Sequence, residues 1–301
     1  VQPLAGSILR IAVAVGVVVA GFAAGYQVSQ HRKPPQPVTI TFQEVDCECT
    51  PGDRVSGPNG LYLDLLKLSL TGLLQESNPQ TRALLSDGRV APHRGITMIG
   101  MRRLDSLQEQ METTLRENIP GDYLEAGAWR GGATVFMRAV LEAHGVKDRH
   151  VWVADSFEGL PKPPPGREQT EPEGAMAVAL EEVQDNFRRY QLLDGQVKFL
   201  KGWFKDTFPS APIRSLAILR VDADLYESTT DALDHLYDKV SPGGFVIIDD
   251  TFYEPCQRAV DDFRKKRGIT APIVKIDWTG IYWRKPGGNA GGAAIPPASG
   301  S

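Results

Sequence analysis

Two pairs of aspartates, Asp222-Ala223-Asp224 and Asp249-Asp250, most constrain what this chain can fold into, because each stands at the end of a short apolar run. Ala217-Ile218-Leu219-Arg220-Val221 precedes the first pair and Phe245-Val246-Ile247-Ile248 the second. Runs of this length, rich in β-branched residues, read as strands covered on both faces in a parallel sheet. Both pairs then fall at strand C-termini, where open α/β sheets bind their ligands. Carboxylates crowded at one sheet edge repel one another unless they share a proton or a cation. A divalent metal is the simplest resolution.

Two further strand ends lie upstream. Asp122-Tyr123-Leu124 runs into Glu125-Ala126-Gly127-Ala128-Trp129-Arg130-Gly131-Gly132, and a helical pattern follows through Val135, Phe136, Val140 and Leu141. Glycines at such a turn let the backbone approach a ligand and let the helix pack on the sheet. An acidic residue ahead of G-x-x-x-G suits the cationic amino-acid end of S-adenosylmethionine (SAM), whereas a phosphate loop would avoid a carboxylate there. Val151-Trp152-Val153-Ala154 is the next strand, ending at Asp155-Ser156, one strand-helix-strand unit after Glu125. A carboxylate there is placed for ribose hydroxyls, and a helix N-cap is the competing role.

These segments resemble the macrocin O-methyltransferase family. The resemblance is carried by Thr97-Met98-Ile99-Gly100 with Arg102-Arg103-Leu104-Asp105, by the Glu125–Gly132 and Ala154–Pro161 stretches, by Leu200–Thr207, by Asp222–Thr229, by Ile248-Asp249-Asp250 and by Asp277–Trp283, in order over about residues 60 to 285. It implies an α/β fold: a seven-stranded, mostly parallel, Rossmann-like SAM-methyltransferase sheet with an N-terminal helical cap. It further implies a SAM- and magnesium-dependent enzyme that methylates a sugar hydroxyl. By position, Glu125, Gly127, Arg130 and Gly131 would line the cofactor turn, with Thr97 and Met98 nearby. Asp155 and Ser156 would meet the ribose, and Gly202 and Trp203 would border the adenine. Asp222, Asp249 and Asp250 match the family's metal ligands, and Asp224 a proposed general base. Two positions depart from the pattern: Ala223 stands where a glycine is usual, and Thr251-Phe252-Tyr253 differs after the aspartate pair, where the acceptor would lie.

The organisation around this domain is read from composition. Residues 11–30 carry no charge and contain a strongly apolar core, Ile11 to Ala20, and about 20 such residues can cross a bilayer. Arg10 precedes the stretch and His31, Arg32 and Lys33 follow it. The pattern predicts a single-pass anchor over 1–33 with the remainder on the cytoplasmic side. A cleaved signal is the alternative, given Ala23-Ala24-Gly25. Residues 34–59, opening with Pro34-Pro35-Gln36-Pro37, form a linker. The catalytic domain spans 60–285, with an amphipathic helix over 61–75 and a second over 104–115. Pro161 to Gly174 is a loop and candidate lid, and 286–301, rich in Gly, Ala and Pro, is a disordered tail. The net charge of −4 and the absence of a basic stripe exclude a nucleic-acid partner. Cys47 and Cys49 lack the second pair a structural zinc site needs, and Cys256 reads as a buried filler.

In mechanism, Asp222, Asp249 and Asp250 would hold magnesium through hard oxygens, two neighbouring hydroxyls of a small-molecule or glycan acceptor would complete its shell, and Asp224 would take the proton. Asp222 is thus both ligand and catalytic residue. Asp224 and Asp250 have a simpler alternative as helix caps. A glycosyltransferase using Asp222-x-Asp224, or a membrane-tethered binding protein without turnover, are the rival readings, and self-association is an expectation of the resemblance alone.

Overall fold

The computed structural model describes residues 58–162 and 171–287. Seven strands form one sheet in the order β3-β2-β1-β4-β5-β7-β6: β1 (Asp122–Ala126), β2 (Val151–Asp155), β3 (Val197–Lys201), β4 (Leu216–Val221), β5 (Val240–Ile248), β6 (Val274–Lys275) and β7 (Ile281–Arg284). The first five run parallel, and β7 enters antiparallel to both β5 and β6. The expected seven-stranded, mostly parallel sheet is therefore present. β4 is buried at every position and β1 at all but its first residue, as continuous apolar runs demand.

Strand alternation sorts the core into two layers. Tyr123, Val153 and Ile218 face one side, against α3 (Met101–Arg116), α4 (Gly132–Ala143) and α5 (Leu180–Arg189). Leu124, Ala154, Leu219 and Val246 face the other, against α7 (Tyr226–Leu236) and α8 (Glu254–Arg267). Two helices precede α3: α1 (Pro58–Leu70) and α2 (Pro79–Ser86), the latter capped by Asn78, whose side chain accepts from Gln80 N and Thr81 N. α1 packs on α3 and α4, turning Leu63, Leu66 and Leu70 inward and leaving Leu61 and Leu65 exposed. The helix expected over 61–75 ends at Leu70, and leucines crowd nearly every side of it, so packing chooses which of them face inward. Lys67 is buried with them and reaches Asp105 of α3 at 2.6 Å, which ties the helical cap to the domain.

The expectation of a membrane anchor, with its membrane location, is overturned: no helix among the described residues is long and apolar enough to cross a bilayer. The longest, α3, has 16 residues, or about 24 Å of rise against roughly 30 Å of hydrocarbon, and it carries several charges. The stretch 11–30 on which that expectation rested lies outside the described residues, as do Cys47, Cys49, most of the linker, the heart of the 161–174 loop and nearly all of the tail. Cys256 is free and buried in the α7/α8 layer, as a filler would be.

The strand C-termini are stitched into one rim by ladder bonds that continue past the strands: Gly127 N to Ala154 O, Asp222 N to Ala126 O, Asp249 N to Val221 O and Gly202 N to Asp155 O. Gly127 makes this possible. Its φ of +92° suits only glycine, and a Cβ there would lie 1.7 Å from the Asp222 carbonyl oxygen. Gly127→Ala is expected to destabilise the fold by roughly 3 kcal/mol or more, read as a lowered midpoint in urea unfolding.

Candidate active site

The site lies at the rim where the strand order reverses, between β1 and β4, which is where open sheets leave a crevice. The register sets Glu125 of β1 directly beside Arg220 of β4. Arg220 is fully buried, and its guanidinium joins three carboxylates: Nη1 donates to Glu125 Oε1 and, at 2.7 Å, to Asp222 Oδ2, while Nη2 donates to Asp249 Oδ1. A second arginine, Arg103 from the first turn of α3, donates to Asp249 Oδ2 and lies 2.9 Å from Asp277 Oδ2. Both oxygens of Asp249 are therefore capped by guanidinium groups. Neither arginine was among the residues expected here. The signal was present for Arg220, since a charge inside a strand buried on both faces requires a partner, and its parity puts it on the same face as Asp222.

Asp222, Asp249 and Asp250 converge as expected, each offering an oxygen within 4.8 Å of the others. Asp222 is the most open member, with its side chain 28% exposed against 5% for Asp249. Burial, reinforced by the charges of Asp222, Asp224 and Asp249, pushes the Asp250 carboxyl well above the usual range. Hard oxygens at this spacing are the donor set a divalent cation of the magnesium type requires. The residues fit the group.

Asp224 stands beside them in the left-handed region, φ +53°, with its N–H 3.4 Å from Asp250 Oδ2. It does not cap α7, whose N-cap is Leu225 without a side-chain bond. Nor does Asp250 cap α8, which begins after Tyr253. Burial first, then the nearby charges of Asp222, Asp249 and Glu171, push Asp224 up to about 7. Ala223 has an ordinary backbone, so the missing glycine costs nothing there.

On the β1 side, burial pushes Glu125 up to about 8, opposed by Arg220 and reinforced by Asp222 and Asp249. Its Oε2 is buried with no hydrogen-bond partner among the described residues. Asp155 does not cap a helix either. Its Oδ2 accepts from Ala128 N at 2.8 Å and Trp129 N at 3.1 Å, and its Oδ1 from Phe157 N at 2.8 Å, so it fastens the glycine turn to the end of β2. Ser156 spends its hydroxyl within its own loop, donating to Gly159 O and accepting from Glu158 N. Arg130 stacks on Trp129 at 4.3 Å and donates to Gly95 O at 3.1 Å, drawing the 95–98 segment onto the turn. There Gly132 abuts Thr97, whose Oγ1 accepts from Ile99 N. Met98 is half-buried in the same segment. Gly202 and Trp203 follow β3, next to the end of β2. Every expected cofactor residue thus falls at this end of the sheet.

The opposite wall is aromatic. Phe252 and Tyr253 are exposed, and Phe252 meets Tyr253 and Trp278 edge-on at 5.8 and 5.2 Å. Trp278 is fixed by its indole N–H to Asp87 O at 2.9 Å and by Arg89 over its ring at 4.7 Å.

A family model described as macrocin-O-methyltransferase matches residues 60–285. The chain is 50% identical over 255 residues to an 8-demethyl-8-(2,3-dimethoxy-alpha-L-rhamnosyl)-tetracenomycin-C 4'-O-methyltransferase of Streptomyces olivaceus, covering 79% of this chain and 97% of that protein. It is 46% identical over 244 residues to a mycinamicin III 3''-O-methyltransferase of Micromonospora griseorubida, covering 75% and 96%. Among solved structures, the O-methyltransferase NovP superposes with a TM-score of 0.72 at 45% identity, over 76% of this chain and 99% of that one. With a family match over most of its length and relatives this similar, the chain belongs to the macrocin O-methyltransferase family and is a SAM-dependent O-methyltransferase.

Proposed function

We propose that the enzyme methylates a hydroxyl on the sugar of a glycosylated small molecule, with a magnesium-type cation at Asp222, Asp249 and Asp250 and with Asp224 as general base. The observation that carries this reading is the convergence of the three aspartates beside Asp224, at the edge of the crevice whose other end holds Glu125. The sugar acceptor is drawn from the relatives, two of which are named for methylation at a primed, sugar position.

Glu125 Oε2 would receive the ammonium of SAM, Asp155 a ribose hydroxyl, and Gly202 and Trp203 the adenine edge. Gly127 and Gly131 leave the room, while Arg130, Thr97 and Met98 hold the turn's outer wall. When bound, SAM would supply a methyl carbon made electrophilic by its sulfonium, with the thioether sulfur as leaving group, and the acceptor hydroxyl would have a proton to give up. When bound, the cation would supply positive charge that acidifies the acceptor hydroxyl. Asp224 then takes the proton as general base. The Phe252, Tyr253 and Trp278 rings supply an apolar face for the acceptor beside these acids.

The glycosyltransferase alternative offers no use for Glu125, Asp155 and the glycine turn. Asp250→Asn is expected to abolish methyl transfer measured with labelled SAM, while adenosylhomocysteine affinity by calorimetry stays within about threefold. Wild-type turnover in that variant removes Asp250 from the reaction. Phe252→Ala is expected to raise the acceptor KM roughly tenfold or more, as loss of a stacking ring does, with cofactor affinity unchanged.

A pH signature follows from Asp224. Its folded affinity for a proton exceeds its unfolded one, so the native state holds the extra proton between about pH 4 and 7 and stability falls as pH rises through that window. In metal-free buffer, Asp224→Asn is therefore expected to raise Tm more at pH 8 than at pH 5. Equal shifts at both pH values would show that Asp224 ionises freely.

A further inference from the structure

The two arginines in the acidic cluster have a use that the proposed chemistry does not assign. Arg220 touches both halves of the site: Glu125 on the cofactor side, Asp222 and Asp249 on the aspartate side. Arg103 approaches Asp249 from α3 and leaves Glu125 untouched. Of the three aspartates, only Asp250 is without a guanidinium contact among the described residues. A cation arriving at the aspartates meets oxygens already engaged by fixed positive charge, in a buried setting where charge–charge terms are far larger than in water.

We propose that Arg220 is a positioning residue acting as the site's resident counter-charge: it holds Glu125 for the cofactor and, together with Arg103, lowers the affinity of the aspartates for a divalent cation. This rests on the reading of Asp222, Asp249 and Asp250 as cation ligands. The arrangement solves a folding problem and sets a binding constant at once. Without the arginines the fold would bury several like charges unpaired, which is among the most destabilising arrangements available. With them, the oxygens of Asp222 and Asp249 are partly neutralised before any ion arrives, and the ion's gain is correspondingly smaller. Reciprocity follows, since whatever draws Asp222 and Asp249 away from Arg220 also changes its hold on Glu125.

The test titrates Mg2+ by calorimetry, and Mn2+ by electron paramagnetic resonance, into the full chain without acceptor. Arg220→Gln and Arg103→Gln are each expected to bind the cation at least tenfold more tightly than wild type. Arg220→Lys, which keeps the charge, is expected to fall within about threefold of wild type. Adenosylhomocysteine affinity separates the two arginines: it drops fivefold or more in Arg220→Gln, where Glu125 loses its partner, and holds in Arg103→Gln. Unchanged or weaker cation binding in the glutamine variants, with wild type binding normally, overturns the counter-charge role and leaves the ligand assignment standing. No cation binding in any form, up to tens of millimolar, overturns both. Should Arg220→Gln fail to fold, Arg103→Gln decides on cation affinity alone.

Discussion

The structure depends on the pairing of Glu125 with Arg220 across adjacent strands. A parallel register that sets a buried acid beside a buried base fixes two strand ends relative to one another, because either group alone would be severely destabilising in this dry interior. From that contact the rest of the rim follows. Arg220 reaches on to Asp222 and Asp249, Arg103 brings α3 to the same carboxylate, and Asp277 closes the circle from the turn before β7. A polar network this deep gives a rigid frame for charges that would otherwise repel, and rigidity is what a reaction dominated by orientation requires.

Much of this was legible in the sequence because carboxylates after apolar runs carry a topological meaning. Glu125, Asp155, Asp222 and Asp249 all fall at strand C-termini, and the glycine turn opens α4 as its spacing predicts. What could not be read was which partner each charge takes. Asp155 offered a helix cap as its competing role, yet its oxygens accept from three backbone N–H groups of the turns around it instead. Arg220 looked like one residue in a strand, and only the β1/β4 register reveals it as the centre of the site. The inward face of α1 was equally hidden, since leucines on several sides leave the choice to tertiary packing. The apolar stretch near the N-terminus shows the converse: composition alone suggested a membrane span that nothing among the described residues supports.

The rim divides cleanly by function in the proposed reading. Segments after β1, β2 and β3 shape the cofactor end, and segments after β4 and β5 supply the acids. The Arg220 guanidinium touches both ends. Such sharing makes cofactor and cation occupancy parts of one electrostatic balance rather than separate events.

The turn preceding β7 is anchored through its own backbone as well as through the Trp278 indole. Thr279 donates to the Asp249 carbonyl and Asp277 accepts from Thr279 N and Gly280 N, so the backbone is secured from below while Trp278 projects toward Phe252. The Thr279 contact with Asp249 therefore does not run through the side chains of Phe252 and Tyr253. In the proposed reading, such a scaffold separates the taste for a molecule, set at the aromatic lip, from the ability to alkylate it, set at the acids below.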